Sequence, residues 1–252
     1  FTGVVNGAAA NTQSLTITSG AGAVTMGGAI GNTADLLALT INSAAGAGTI
    51  DLDNIGAGLA GVTGNTLIGN AATATIDFNG TIYKTTGSQT YTAATGTNLN
   101  VLGAGAPVAF TSANTAIAFA TSDIKLGPSA NLTVTSAGGA ITALKIDGTA
   151  SQDVTLISTG GGTNTVVVGA IGTVTLNGIN TVALTGSTLI TLNGSITTDT
   201  ATGNSVTVTG PAKLGASITV DTSANVTDTT GTVNFTGVVN GAAANTQSLT
   251  IT

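Results

Sequence analysis

The sequence contains no cysteine, histidine, tryptophan, glutamate or arginine. Without cysteine the chain can form no disulfide, and without cysteine or histidine it lacks the usual zinc ligands and the usual bases of nucleophilic catalysis. Charged residues make up 6% of the 252 residues and aromatic residues 3%. The formal net charge of −6 argues against binding to nucleic acid or to anionic membranes.

Strong helix formers are also scarce, whereas threonine supplies roughly a fifth of the chain. No apolar run approaches the roughly 18 residues of a membrane-spanning helix. The mean hydropathy of +0.47 argues against disorder, because enough apolar side chains are available for burial. Threonine, valine and isoleucine favour the pleated backbone of β-strands, so the composition predicts an all-β protein.

One segment occurs twice. Residues 1–18 (FTGVVNGAAANTQSLTIT) reappear letter for letter as residues 235–252, a step of 234 residues. This identity predicts a tandem array, of which residues 1–234 form one full period and residues 235–252 begin the next. No linker divides the chain, so residues 1–252 are expected to form one continuous segment, with the period junction at Phe1, Thr18, Phe235 and Thr252.

Shorter phrases recur within the period. Apolar residues alternate with polar ones and lead into glycine, as in IDFNGTI (76–82), ITLNGSI (190–196) and VTMGGAI (24–30). Alternation with a period of two predicts strands with one buried face, and the Asn-Gly and Gly-Gly steps are expected to supply positive φ angles at corners. The inward residues predict a stacked core: Val24, Met26, Ile76, Phe78, Val174, Leu176, Ile190, Leu192, Val233 and Phe235.

The spacing of these phrases favours a solenoid. Similar phrases recur after roughly 20–26 residues, for example from Leu15 to Leu39 and from Val24 to Thr49, which is the range of solenoid coils. Asn-Gly steps also occur in β-hairpins, so stacked β-sandwich modules are the alternative. We predict a right-handed parallel β-helix in which each coil is hydrogen-bonded to the coils above and below it.

Few residues suggest a chemical site. Asp51 and Asp53 would share one face of a strand, and with Asn54 they form a candidate site for Ca²⁺; no other cofactor is expected. The same two carboxylates suggest a polysaccharide lyase or glycosidase, but no arginine or histidine is present to bind an acidic sugar or to tune a general acid. The sequence therefore predicts a protein that is not an enzyme.

Threonine and tyrosine raise the question of a binding surface. Pairs of threonines that would each face one side of a strand could bind ice if they stacked on a flat face, although the uneven spacing argues against such an array. Tyr83 and Tyr91 are expected to pack against neighbours or lie on the surface rather than form a sugar platform. The threonine pairs are Thr16 and Thr18, Thr133 and Thr135, Thr173 and Thr175, and Thr207 and Thr209.

Several stretches resemble the β-strand-repeat regions of giant secreted bacterial adhesins, which are filamentous-haemagglutinin-like and autotransporter-passenger-like proteins. They are SLTITSGAGAVTMGGAIGNTADLLALTI (14–41), GTIYKTTGSQTYTA (80–93) and VTLNGINTVALTGSTLITLNGSITTD (174–199). The similarity covers essentially the whole chain, and its motifs are compositional. In that family such regions form long β-helical shafts displayed outside the cell.

The resemblance implies a structural role at the cell surface: the repeating shaft of an extracellular bacterial fibre, sheath or giant surface adhesin. The expected partner is the protein itself, through continuation of the solenoid into neighbouring repeats and through lateral packing of fibres. Neither nucleic acid nor membrane insertion is expected. The alternative is a β-solenoid that binds a glycan, a host protein or ice, and a polysaccharide-active enzyme ranks last.

Overall fold

A computed structural model describes residues 1–172, 178–198, 205–223 and 231–252 of the chain. Within these ranges it contains β-strands, one short 3₁₀ turn (Gly103–Gly105) and no helix able to cross a membrane. The strands are β1 (Ser14–Ile17), β2 (Val24–Met26), β3 (Ala38–Ile41), β4 (Ile50–Leu52), β5 (Thr66–Ile68), β6 (Ile76–Phe78), β7 (Ile82–Thr85), β8 (Gln89–Thr92), β9 (Thr97–Val101), β10 (Val108–Ser112), β11 (Ile117–Ala120), β12 (Asp123–Leu126), β13 (Leu132–Ser136), β14 (Ile141–Ala143), β15 (Ile146–Asp147), β16 (Gln152–Ser158), β17 (Thr165–Val168), β18 (Ile179–Gly186), β19 (Leu189–Leu192), β20 (Ile196–Thr197), β21 (Ser205–Thr209), β22 (Ala212–Leu214), β23 (Ile218–Asp221), β24 (Thr232–Phe235), β25 (Val239–Gly241) and β26 (Leu249–Ile251).

The strands stack into a three-sided parallel solenoid. Face I is a six-stranded sheet (β2, β4, β6, β9, β12, β15) continued by a three-stranded one (β20, β23, β26), with Ile171 bridging Ile146 to Ile196 between them. Face II is a seven-stranded sheet (β7, β10, β13, β16, β18, β21, β24), and face III is a ten-stranded sheet (β1, β3, β5, β8, β11, β14, β17, β19, β22, β25). Every strand pair in the described part of the chain is parallel. The predicted parallel β-solenoid is confirmed, and the β-sandwich alternative is wrong.

Alternation along each strand explains the core. In β16 (Gln152–Ser158) and β13 (Leu132–Ser136), every second residue is buried and the residues between them are half-buried on the outside. Side chains on a strand point alternately to opposite faces, so three inward-facing rows meet along the axis. The interior is therefore one continuous column of aliphatic and aromatic side chains.

The register between coils follows the predicted repeat closely but not uniformly. Leu15 pairs with Leu39 as the spacing predicted, whereas Val24 pairs with Ile50 and not with Thr49. Steps in face III range from 22 residues, between Ile190 and Ala212, to 28 residues, between Gln89 and Ile117. Loops at the corners absorb this variation, so the strands stay in register while the coils differ in length.

The predicted role of the Asn-Gly and Gly-Gly steps needs correction. Gly28 and Gly80 end two such steps, yet neither has a positive φ angle. A Cβ atom added at Gly28 would lie 2.5 Å from the carbonyl carbon of Gly3, and one at Gly80 would lie 2.5 Å from the amide nitrogen of Asn54. These glycines allow the backbones of successive coils to approach closely, which a side chain would prevent.

Candidate functional site

The predicted core residues lie where the alternation placed them in the described ranges. Val24, Met26, Ile76, Phe78, Ile190 and Leu192 are buried. Val233 and Phe235 are half-buried on β24, where they pack against the core. Val174 and Leu176 lie outside the described residues.

Five aromatic side chains form a cluster in the middle of the solenoid: Phe78, Tyr83, Tyr91, Phe110 and Phe119. The Phe78 ring meets the rings of Tyr83, Tyr91 and Phe110 edge to face, with centroid separations of 5.1, 4.9 and 5.0 Å. Both tyrosines are fully buried, so they support the core and offer no stacking platform to a sugar.

Each tyrosine hydroxyl in this cluster has a partner. The Tyr83 hydroxyl donates to the Leu52 carbonyl oxygen at 3.1 Å and accepts from the Gly80 amide at 3.0 Å. The Tyr91 hydroxyl donates to Gln89 Oε1 at 2.9 Å. Burial raises the pKa of both tyrosines well above the ordinary value, so they remain neutral hydrogen-bond donors.

Gln89 is a buried polar residue that sequence reasoning missed. Its Nε2 donates to the Tyr83 carbonyl oxygen at 3.2 Å, to Thr85 Oγ1 at 3.0 Å and to the Thr111 carbonyl oxygen at 2.8 Å. With Tyr91 bonded to its Oε1, this amide joins two successive coils. Its position two residues before Tyr91 on the inward row was the available signal, but glutamine is usually exposed.

The candidate calcium ligands lie on the outside of face I. Thr25 Oγ1 donates to Asp51 Oδ2 at 3.0 Å, and Asp77 of the next coil lies in register with Asp51. Asp53 follows β4 on the same strand path. In the described ranges, no group of three or more histidine, cysteine, aspartate or glutamate side chains is placed to hold a metal ion. Binding of Ca²⁺ at Asp51 and Asp53 stays a prediction.

Asp51 and Asp77 form a carboxyl pair across two coils. Burial raises the pKa of Asp77, and the neighbouring Asp51 raises it further through its charge and a side-chain hydrogen bond. Asn100 acts in the opposite direction, because its Nδ2 donates to Asp77 Oδ1 at 2.6 Å. Asp77 therefore holds its proton more tightly than an isolated aspartate would.

Face II carries two columns of outward side chains rich in threonine. The predicted pairs Thr133 with Thr135 and Thr207 with Thr209 both lie here, whereas Thr16 lies on face III. Thr173 and Thr175 lie outside the described residues. In register, one column reads Ala109, Thr133, Thr155, Ala183, Thr207, and the other reads Thr111, Thr135, Ile157, Thr185, Thr209. The uneven coils thus still align hydroxyls and methyls on one sheet.

A shallow depression lies on face III. It has a volume of about 310 Å³, and its lining includes Phe119, Thr142, Leu144, Val167 and Asn193. Leu144 is half exposed there. The described lining has no charged side chain, so the depression offers apolar contact rather than a convergent polar site.

The residues of the period junction lie at the two ends of the solenoid. Phe1 joins face I, since its amino group donates to the Thr25 carbonyl oxygen at 2.9 Å. Thr18 follows β1 and is exposed. Phe235 pairs with Val208 on face II, and the Thr252 amide donates to the Val220 carbonyl oxygen at 3.0 Å on face I. Both copies of the repeated segment therefore belong to the inter-coil ladders.

The chain was compared with protein-family models, with curated proteins and with solved structures. No match was found in any of the three comparisons.

Proposed function

We propose that this chain is part of the repeating shaft of an extracellular bacterial fibre, sheath or giant surface adhesin, and that it acts mechanically rather than as an enzyme. The observation that carries the tandem shaft is the pairing of the repeated segment. Leu15 pairs with Leu39 of the following coil, and its identical counterpart Leu249 pairs with Ile218 of the preceding coil. The same repeated segment therefore pairs with the following coil in one copy and with the preceding coil in the other, as a continuous tandem array requires.

The composition supports an exposed structural element. The absence of cysteine and the presence of one methionine leave little to oxidise, and few charges leave the fold little dependent on salt. Stability comes instead from stacked apolar residues, each contributing roughly 1.5–3 kcal/mol when fully buried. The extracellular location rests on the resemblance to secreted adhesin shafts.

Surface labelling of the source bacterium tests the location. An antibody raised against the exposed loop at residues 57–59 is expected to label intact cells, and protease added outside the cells is expected to remove the signal. An antibody against a cytoplasmic enzyme is the control and should label permeabilised cells alone. If the loop antibody also needs permeabilised cells, the shaft does not lie outside the cell.

The second candidate function is a binding solenoid, which the threonine columns of face II favour. Their hydroxyls and methyls form a grid with spacings of about 4.8 Å along the axis and about 7 Å along each strand. Inhibition of ice recrystallisation by the 252-residue chain would support it. Thr133→Lys with Thr207→Lys should then abolish the inhibition, and Thr90→Lys on face III should leave it intact. Absence of inhibition by the unmodified chain rejects ice as the ligand.

A further inference from the structure

The two copies of the repeated segment adopt the same local structure. Asn11 has a φ angle of 62° and its counterpart Asn245 one of 58°. Gln13 Oε1 accepts from the Ala9 amide at 3.2 Å, and in the second copy Gln247 Oε1 accepts from the Ala243 amide at 3.0 Å. In both copies a threonine hydroxyl, of Thr12 or Thr246, donates to the same alanine carbonyl oxygen. The corner formed by residues 9–13, and by residues 243–247 in the second copy, is therefore determined by the local sequence.

The two copies nevertheless lie on different faces. Val5 bridges Ile30, which bridges Ile55 and through it Tyr83 of β7, so Val5 belongs to face II. Its counterpart Val239 pairs with Ala212 on face III.

The residues on either side of this corner shift in the same way. Leu15 lies on face III and its counterpart Leu249 on face I. Phe1 lies on face I and Phe235 on face II. Along the chain, successive strands lie on faces I, II and III in that order. Each residue of the second copy therefore lies one face further along than its counterpart in the first copy.

The strand order gives the number of turns in one period. From β1 to β25, face III contains ten strands in unbroken succession, which is nine steps from coil to coil. The chain then crosses one further face to β26, where the counterpart of β1 lies. A period of 234 residues therefore corresponds to nine turns and one face of three, or about 25 residues per turn, which agrees with the measured steps of 22–28 residues.

We infer that in the tandem shaft each 234-residue repeat is rotated by one face, about a third of a turn, relative to the repeat before it. This inference rests on the tandem array of the proposed function and not on its location. With about 4.8 Å between coils, the repeats follow each other every ~45 Å along the axis, and every third step, about 135 Å, restores the original face. The rotation adds to the intrinsic twist of the sheets.

The core tolerates this rotation because the junction uses interchangeable residues. Leu15 stacks on Leu39 and Leu249 on Ile218, so a branched aliphatic side chain meets one of equal size on either face. Swaps of this kind change the core volume little. Pairing therefore depends on the distance along the chain rather than on which face a strand occupies.

The consequence concerns partners of the shaft. The threonine columns of face II in one repeat would lie on face III of the solenoid in the next repeat and on face I in the one after. A ligand that recognises one such surface therefore finds it in three directions around the shaft. No single side of the shaft carries the same surface in two successive repeats.

Paired cysteines in the 252-residue chain test the rotation directly, because the chain has no cysteine of its own. Thr219 and Thr250 are outward neighbours in register on face I, and neighbouring strands lie about 4.8 Å apart, within reach of a disulfide. The double variant Thr219→Cys with Thr250→Cys is expected to cross-link on mild oxidation, with a mass loss of two hydrogens. If a period made nine whole turns, Thr250 would instead occupy the place of Asn240, beside Lys213 on face III.

The matched control is therefore Lys213→Cys with Thr250→Cys, which is expected not to cross-link. Cross-linking of this pair, with none at residues 219 and 250, would overturn the inference. Lys213→Cys with Asn240→Cys should cross-link and shows that face III itself is intact.

Electron cryomicroscopy of a tandem protein made of four 234-residue repeats gives a second reading that does not depend on these variants. Successive repeats should superpose after a rise of ~45 Å and a rotation that includes one face. Superposition after the rise and sheet twist alone would contradict the inference. Both results are independent of where the protein lies in the cell. The rotation can therefore be confirmed or refuted even if the proposed extracellular location is wrong.

Discussion

The aromatic cluster offers the sharpest test of how this solenoid is stabilised. Phe78 is fully buried, and its ring packs edge to face with three other aromatic rings. Phe78→Ala should cost about 3–5 kcal/mol, the usual range for removing a buried phenylalanine. The upper part of this range is expected, because each aromatic pair adds about 0.5–1.5 kcal/mol and the inter-coil ladders prevent the surrounding rings from closing the cavity.

The loss should remain local. In a solenoid each coil contacts only its neighbours, so the strands from β4 to β12 should open more often while distant coils keep their protection. Hydrogen–deuterium exchange measured by mass spectrometry should show amides of residues 50–126 exchanging roughly a hundred-fold to several thousand-fold faster, which is the stated free energy converted to an equilibrium ratio. Peptides from residues 1–40 and 231–252 should exchange as in the unmodified chain.

Phe1→Ala is the matched control, since the same atoms are removed from a side chain that is 59% exposed. It should leave exchange unchanged beyond the first coil. Equal acceleration of exchange along the entire chain by Phe78→Ala would refute the nearest-neighbour account, because it would mean that the chain unfolds as one cooperative unit.

Three further outcomes follow from individual contacts. The raised pKa of Asp77 means that its proton stabilises the folded chain fully below the ordinary value of 3.8, and that this contribution is lost as the pH rises through the higher folded-state pKa. The melting temperature of the unmodified chain minus that of Asp77→Asn should therefore fall as the pH rises above the ordinary value of 3.8. Asp51→Asn should make this fall smaller, and a difference that rises with pH contradicts the assignment. Gly80→Ala should lower the free energy of unfolding by about 1–3 kcal/mol in denaturant titrations, whereas Gly161→Ala, which meets open space, should not; equal effects would show that close approach is not the cause. Gln89→Leu should cost about 2–4 kcal/mol, since it removes the donations of the Gln89 amide and leaves the buried Tyr91 hydroxyl without its acceptor, and a neutral result would mean that the amide bonds add no net stability.

Alternation and spacing predicted the fold because both have a local physical cause. Burial of one strand face requires every second residue to be apolar, and similar coils stack at similar distances along the chain. The pairing of Leu15 with Leu39 could therefore be read from the sequence. The spacing predicts Thr49 as the partner of Val24, one residue away from the actual partner Ile50. The difference lies in the length of the connecting loops, which leaves no periodic signal in the sequence.

Other features depend on contacts that no short pattern encodes. Glycine after asparagine has two physical uses, positive φ and close approach of backbones, and only the neighbouring coil decides between them at Gly80. Gln89 is buried because two coils present hydrogen-bond acceptors around its amide, and only the stacking of these coils brings them together. The pairing of Asp51 with Asp77 likewise requires the register of β4 on β6. The rotation of one face per period depends on the sum of nine unequal coils.

Five of the six aromatic residues of one period lie between residues 78 and 119, and the sixth is Phe1. A filament built from such periods would be mechanically uneven, with one tough girdle in each length of softer aliphatic coils. Under a pulling force the aliphatic coils should unfold first, and unfolding should pause at each aromatic girdle. The force would then drop in several small steps rather than in one rupture.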